Sequence, residues 1–131
     1  MKPLLFVFLF FFQSPIHSPF QADIVDDLAV QLKTGNSKEI AKSFASSVEL
    51  LIVDQEDVYS KAQAEQILKD FFVKNPPLKV AIIHRSNSNP NFRYGIFSLQ
   101  TKAMKYRVNV TLMYQKTANS FLITELRIEK E

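Results

Sequence analysis

The sequence predicts an α+β domain in which three helices pack on one face of a curved, mainly antiparallel sheet, in the order ααββαββββ. Three observations carry that reading. The stretch Ser60–Asn75 is strongly helical, with Ala64, Ile67, Leu68, Phe71 and Phe72 on one face. Downstream of it, alternating segments follow one another at hairpin spacing, broken by turn clusters such as Ser86–Asn91. Upstream lie two shorter amphipathic helices separated by Gly35.

The chain has 131 residues, 47% hydrophobic and 22% charged, enough for one globular domain with its own core. Twelve Phe and four Tyr supply its aromatic area, and the absence of cysteine excludes disulfides, thiolate ligands and thiol nucleophiles. The formal charge is +3. Lys2 is the only charge before Asp23, which leaves fifteen basic and thirteen acidic residues, a net of +2. That balance is too even for a nucleic-acid binder, so no nucleic-acid partner is expected.

Residues 1–22 read as a secretory signal. Lys2 precedes the apolar run Pro3–Phe12, which has the length of a signal core and is too short to span a bilayer. Cleavage after Ala22 fits imperfectly, because Phe20 stands where a small residue is preferred. The mature chain, residues 23–131, is expected to be soluble, with no membrane span, in the periplasm or outside the cell.

Asp23–Thr34 is the first helix, with Ile24, Val25, Leu28, Ala29 and Leu32 as its stripe and Asp26 and Asp27 at the positive end of the dipole. Asn36 caps a second helix expected to run to about Phe44, with Glu39 three residues on. Val48–Val53 is the first strand. The acidic turn Asp54–Asp57 leads to a partner strand beginning at Val58–Tyr59. Ser60 with Gln63 forms a capping box for the long helix, and Asn75-Pro76-Pro77 stops it.

Leu78–Arg85 is the next strand, with Leu78, Val80, Ile82 and His84 in one phase and Lys79, Ala81, Ile83 and Arg85 in the other. Phe92–Thr101 has two competing faces, Tyr94 and Ile96 against Phe97 and Leu99, and Gly95 suggests a bulge or bend. Lys105–Gln115 alternates cleanly, burying Tyr106, Val108, Val110, Leu112 and Tyr114. Phe121–Glu129 closes the sheet, with Leu122, Leu126 and Ile128 inward.

Gly35-Asn36, Tyr59-Ser60-Lys61, Phe71-Phe72, Ile83-His84-Arg85, Tyr94-Gly95-Ile96 and Tyr106-Arg107-Val108 together give the chain a resemblance. In element order it is similar to the nuclear transport factor 2-like, or cystatin-like, cone. More narrowly it resembles a family of small exported bacterial proteins known as domain of unknown function 4783. The resemblance covers about Asp23 to Glu129 and departs from the family pattern at Ser86, where a glycine is expected. It implies a fold and brings no established activity with it.

Catalytic chemistry is sparse. His84 is the single histidine after the signal, and no spacing for a zinc or calcium site or glycine-rich phosphate loop is present, so no metal or cofactor is expected. Some enzymes of the broader superfamily use carboxylates and tyrosines inside the cone. Here the candidates are His84 and Glu49 as weak catalytic residues, with Tyr59, His84, Tyr94 and Tyr106 as pocket residues. The outward sheet face carries Ile83, Arg85, Arg107, Met113, Ile123 and Arg127, a mixed apolar and basic surface suited to docking.

Two functions fit these residues. One is a non-enzymatic exported module that binds a second copy through the sheet face or a small ligand in the cone. The other is a small hydrolase- or isomerase-like enzyme around His84 and the strand tyrosines. An assembly or chaperone role at the cell envelope would leave the same sequence signs as the first.

Overall fold

The structure is a computed structural model that describes residues 23–131; the expected signal at residues 1–22 lies outside the described residues. Helix α1 (Ile24–Lys33) is capped by Asp23, whose carboxylate accepts from the Val25 N–H. At its other end Gly35 takes φ +62°, the left-handed conformation a glycine allows without steric cost. Its N–H reaches the Leu32 carbonyl, and the Asn36 N–H reaches that of Gln31 at 2.9 Å, closing a Schellman turn. Asn36 then caps α2 (Ser37–Lys42), its side chain accepting from the Glu39 N–H at 3.2 Å.

Phe44 does not extend α2, as the sequence suggests, but opens strand β1 (Phe44–Ile52). The Ile123 N–H donates to the Ser43 carbonyl at 2.6 Å and draws the chain onto the sheet there. Strand β2 (Gln55–Ser60) likewise starts earlier than expected, with Glu56 and Asp57 in the ladder opposite Leu51 and Leu50. The expected acidic turn shrinks to Val53-Asp54. Val53 sits there at φ +62°, rare for a β-branched residue, and its N–H donates to the Ile128 carbonyl at 2.7 Å.

Helix α3 (Lys61–Lys74) has the predicted bounds. Ser60 accepts from the Gln63 N–H, and the Gln63 side chain accepts from the Ser60 N–H. Strands β3 (Pro77–Ser86), β4 (Phe92–Thr101), β5 (Lys105–Gln115) and β6 (Ser120–Lys130) follow. All six strands form one sheet in the order β2-β1-β6-β5-β4-β3, antiparallel except where β1 and β6 run parallel.

The three helices cover one face. Leu28, Leu32, Ile40, Leu68 and Phe72 meet Phe97, Leu99, Val108, Val110, Leu126 and Ile128 in one buried cluster. This settles the phase of β4: Phe97 and Leu99 face the helices, while Tyr94 and Ile96 face away. Gly95 lies in an unbroken β4–β5 ladder rather than at a bulge. A Cβ there would stand 3.0 Å from the Phe97 ring and 3.2 Å from Val25 of α1, so glycine lets α1 approach the sheet.

Of the four register shifts in the sheet, one makes Leu78 an extra, exposed residue out of phase with Val80 and Ile82, and two redirect candidate-site side chains. In β3, Ile82 pairs with Phe97 but His84 with Ile96, so Ile83 is an extra residue and the phase reverses beyond it. In β6, Glu125 pairs with Thr111 but Ile123 with Leu112, which makes Thr124 the extra residue. Ile123 therefore points into the core, fully buried, and Leu122 turns outward opposite Met113.

Candidate functional site

The bulge at Ile83 corrects two assignments. His84 is not at the rim of a helix-side cavity: it is exposed and shares the uncovered face with Ile96. Arg85 belongs to the helix side instead. Its guanidinium grips Asp26 of α1 through two hydrogen bonds of 2.8 and 3.0 Å, with Asp23 3.7 Å away. The hydrogen bond from Arg85 holds the Asp26 carboxyl below its ordinary pKa, and Arg85 is raised in turn. This fork fixes the start of α1 against β3, a structural task.

The four expected pocket residues do not converge. Tyr106 is buried under α3, its ring edge-on to Phe71 at 5.3 Å and its hydroxyl 3.2 Å from Asn75 Oδ1. Tyr59 is half-buried at the margin of the same core. Tyr94 lies on the opposite face, stacked on Phe92 with centroids 6.3 Å apart. Leu68, Phe71, Phe72 and Tyr106 fill the space between α3 and the sheet, where a cone ligand would need to lie.

Glu49 is exposed on the uncovered face, beside Val58 and Glu125. It borders a depression of about 510 Å³ with Ser46, Ser47, Leu122 and Thr124. His84 is on β3 and Glu49 on β1, with β4, β5 and β6 between them. Four strand spacings separate the two, about 19 Å. Among the described residues no group of three or more His, Asp or Glu could hold a metal ion.

The uncovered face is the arrangement these side chains do build. Phe92, Tyr94 and Ile96 on β4 are half-buried although none of the described helices lies over them. Met113, 46% exposed, and Leu122 continue this strip across β5 and β6. Charges of both signs border it. Arg127 pairs with Glu129 at 3.0 Å and Glu56 at 3.3 Å, and its pKa is raised chiefly by the Glu129 hydrogen bond. Arg107 reaches Glu131 at 3.5 Å. Of the six residues expected on this face, Arg107, Met113 and Arg127 lie on it and Ile83 projects from the bulge at its edge. Arg85 and Ile123 do not, for the reasons of register given above. Alternation alone does not place the Phe92–Tyr94 stack or Leu122 on this face; an i, i+2 aromatic pair in one strand is the available sign of the stack.

Three helices on one face of an open, mostly antiparallel six-stranded sheet make up the nuclear transport factor 2-like fold. A protein of that fold from Silicibacter pomeroyi is similar at 13% identity, with a TM-score of 0.57 over 82% of this chain and 90% of that one. The model of the domain of unknown function DUF4783 matches residues 25–129, and the chain belongs to that family. A family member from Bacteroides fragilis is 27% identical, with a TM-score of 0.75 over 83% of this chain and 100% of that one. Another, from Bacteroides uniformis, is 24% identical, with a TM-score of 0.77 over 83% and 98%. Among curated proteins none matches the chain.

Proposed function

We propose that this chain is an exported, non-enzymatic binding module that pairs with a second copy of itself through the uncovered face of its sheet. The strip of Phe92, Tyr94, Ile96, Met113 and Leu122 carries this reading, because these apolar side chains line a sheet face that no element of the described residues covers. Bordering charges of both signs suit a two-fold axis, on which the same patch must complement itself. The alternative, a hydrolase- or isomerase-like enzyme, requires His84 and a carboxylate within hydrogen-bond reach. The separation of His84 from Glu49 and the filled interior both weigh against it.

Sedimentation velocity of the purified protein at tens of micromolar tests the pairing. A dimer is expected, and Met113→Glu should return it to monomer by placing two like charges near the axis. A wild-type monomer in that range overturns the proposal. Export is tested by cell fractionation and N-terminal sequencing, with a mature start near Asp23 expected. Retention of the uncleaved chain in the cytoplasm would remove that part of the reading.

A further inference from the structure

The helix layer has its own surface feature. A groove of about 630 Å³ runs between the α1–α2 junction and the C-terminal half of α3, with Phe72, Val73 and Pro76 among its apolar lining and Lys33, Lys38 and Lys69 around it. A second depression, about 370 Å³, lies between α2 and α3 and adds Lys42 and Lys61 beside Ala41 and Ala62. Both share Lys38 and Glu65, so the two make one elongated concavity.

Its charge is out of proportion to the domain's. Five lysines line it against Glu65 alone, and Lys42 brings Glu39 into the group by pairing with it at 2.6 Å. That is a net of +3, above the +2 of residues 23–131 taken together, so the remaining surface is net negative. Among the described residues Lys33, Lys38, Lys61 and Lys69 form no ion pair. The fold accounts for Lys33, which sits in the last turn of α1 where the helix dipole favours a cation. It does not account for Lys61, the first residue of α3, where the dipole opposes a positive charge and the turn holds no acid. Val73 stays 70% exposed on the same groove.

We propose that this groove binds an extended acidic peptide segment of a partner protein, its carboxylates on the lysines and its small apolar side chains on Phe72, Val73 and Pro76. A small inorganic anion would leave that apolar lining unused, and a flat lipid surface does not enter a concavity. The groove lies on the helix side, so it stands or falls separately from pairing through the sheet.

Fluorescence anisotropy with a labelled peptide alternating glutamate with leucine and alanine provides the test. Saturable binding that weakens with salt is expected, with a roughly tenfold loss in Lys38→Glu/Lys69→Glu and none in Met113→Glu. The same peptide with glutamine for glutamate should not bind. Lys61→Glu should weaken binding while raising the thermal midpoint, a combination that a purely structural lysine does not give. The proposal is overturned if the peptide fails to bind or if the double variant binds it as well as wild type. It is also overturned if vesicles of anionic phospholipid bind more tightly than the peptide with the same dependence on Lys38 and Lys69.

Discussion

Ile123→Glu and Met113→Glu should have opposite consequences, although simple alternation along β5 and β6 assigns both residues to one face. Ile123 is fully buried, opposite Leu112 on one side and Phe44 on the other. Removing its side chain from the core forfeits about 1.5–3 kcal/mol. An unpartnered carboxylate in its place costs several kcal/mol more. Together these reach about 5 kcal/mol, comparable with the whole stability of a domain this size, about 5–15 kcal/mol. Met113, nearly half exposed, should tolerate glutamate within about 0.5 kcal/mol in the monomer. Urea denaturation followed by circular dichroism, at a concentration low enough to exclude dimers, separates the cases. With a slope of about 1–3 kcal/mol per molar urea, Ile123→Glu should lower the midpoint by about 2–5 M, and Met113→Glu should keep the wild-type midpoint. Equal midpoints for the two variants, or a wild-type midpoint for Ile123→Glu, would refute the bulge at Thr124.

Gly95→Ala removes a flexible residue from a strand, worth about 0.5–1 kcal/mol in its favour. The new methyl meets Phe97 at 3.0 Å and Val25 at 3.2 Å, and overpacking of about 1–3 kcal/mol should prevail, lowering the thermal midpoint. A midpoint above wild type would mean that α1 can shift. Asp26→Asn should destabilise at neutral pH. The Arg85 hydrogen bond depresses the folded pKa of Asp26, so its contribution is complete above the ordinary value of 3.8 and fades as pH falls through the lower folded value. Urea midpoints of wild type and variant should therefore converge in acid, and a gap that widens there would contradict the ion pair. Ser60→Ala loses one half of the capping box and should cost about 1 kcal/mol, read as a lower urea midpoint.

Local rules read most helix boundaries well because each is written in one or two residues; the end of α2, which carries no such stop, is the exception. Ser60 with Gln63, Gly35 with Asn36, and the Asn75-Pro76-Pro77 stop all act as their chemistry suggests. The bulges were illegible for an equally local reason. An extra residue in a strand leaves no mark when it is itself β-branched, as Ile83 and Thr124 are, because its own propensity favours the strand. A silent insertion reverses the phase of the strand on one side of it. The one at Ile83 exchanged His84 with Arg85, and the one at Thr124 exchanged Ile123 with Leu122, so the candidate site suffered more than the fold. Val53 hid the short β1–β2 turn in the same way, since a valine gives no warning of a left-handed conformation. The lysine groove was invisible because Lys33, Lys38 and Lys69 come together only when α1, α2 and α3 pack.

The parallel pairing of β1 with β6 sets the timing of folding. Leu50 pairs with Leu126, 76 residues further along the chain, and only through that pairing do β2 and β1 join the remaining strands. Contacts so distant in sequence carry the loop-closure entropy of the intervening chain and form slowly. Until β6 has emerged from the ribosome, the sheet lacks the strand that joins its two parts. Under the export proposed above, this topology would act as a delay before the chain folds. The seam that completes the domain is also the last part of the sheet to be synthesised.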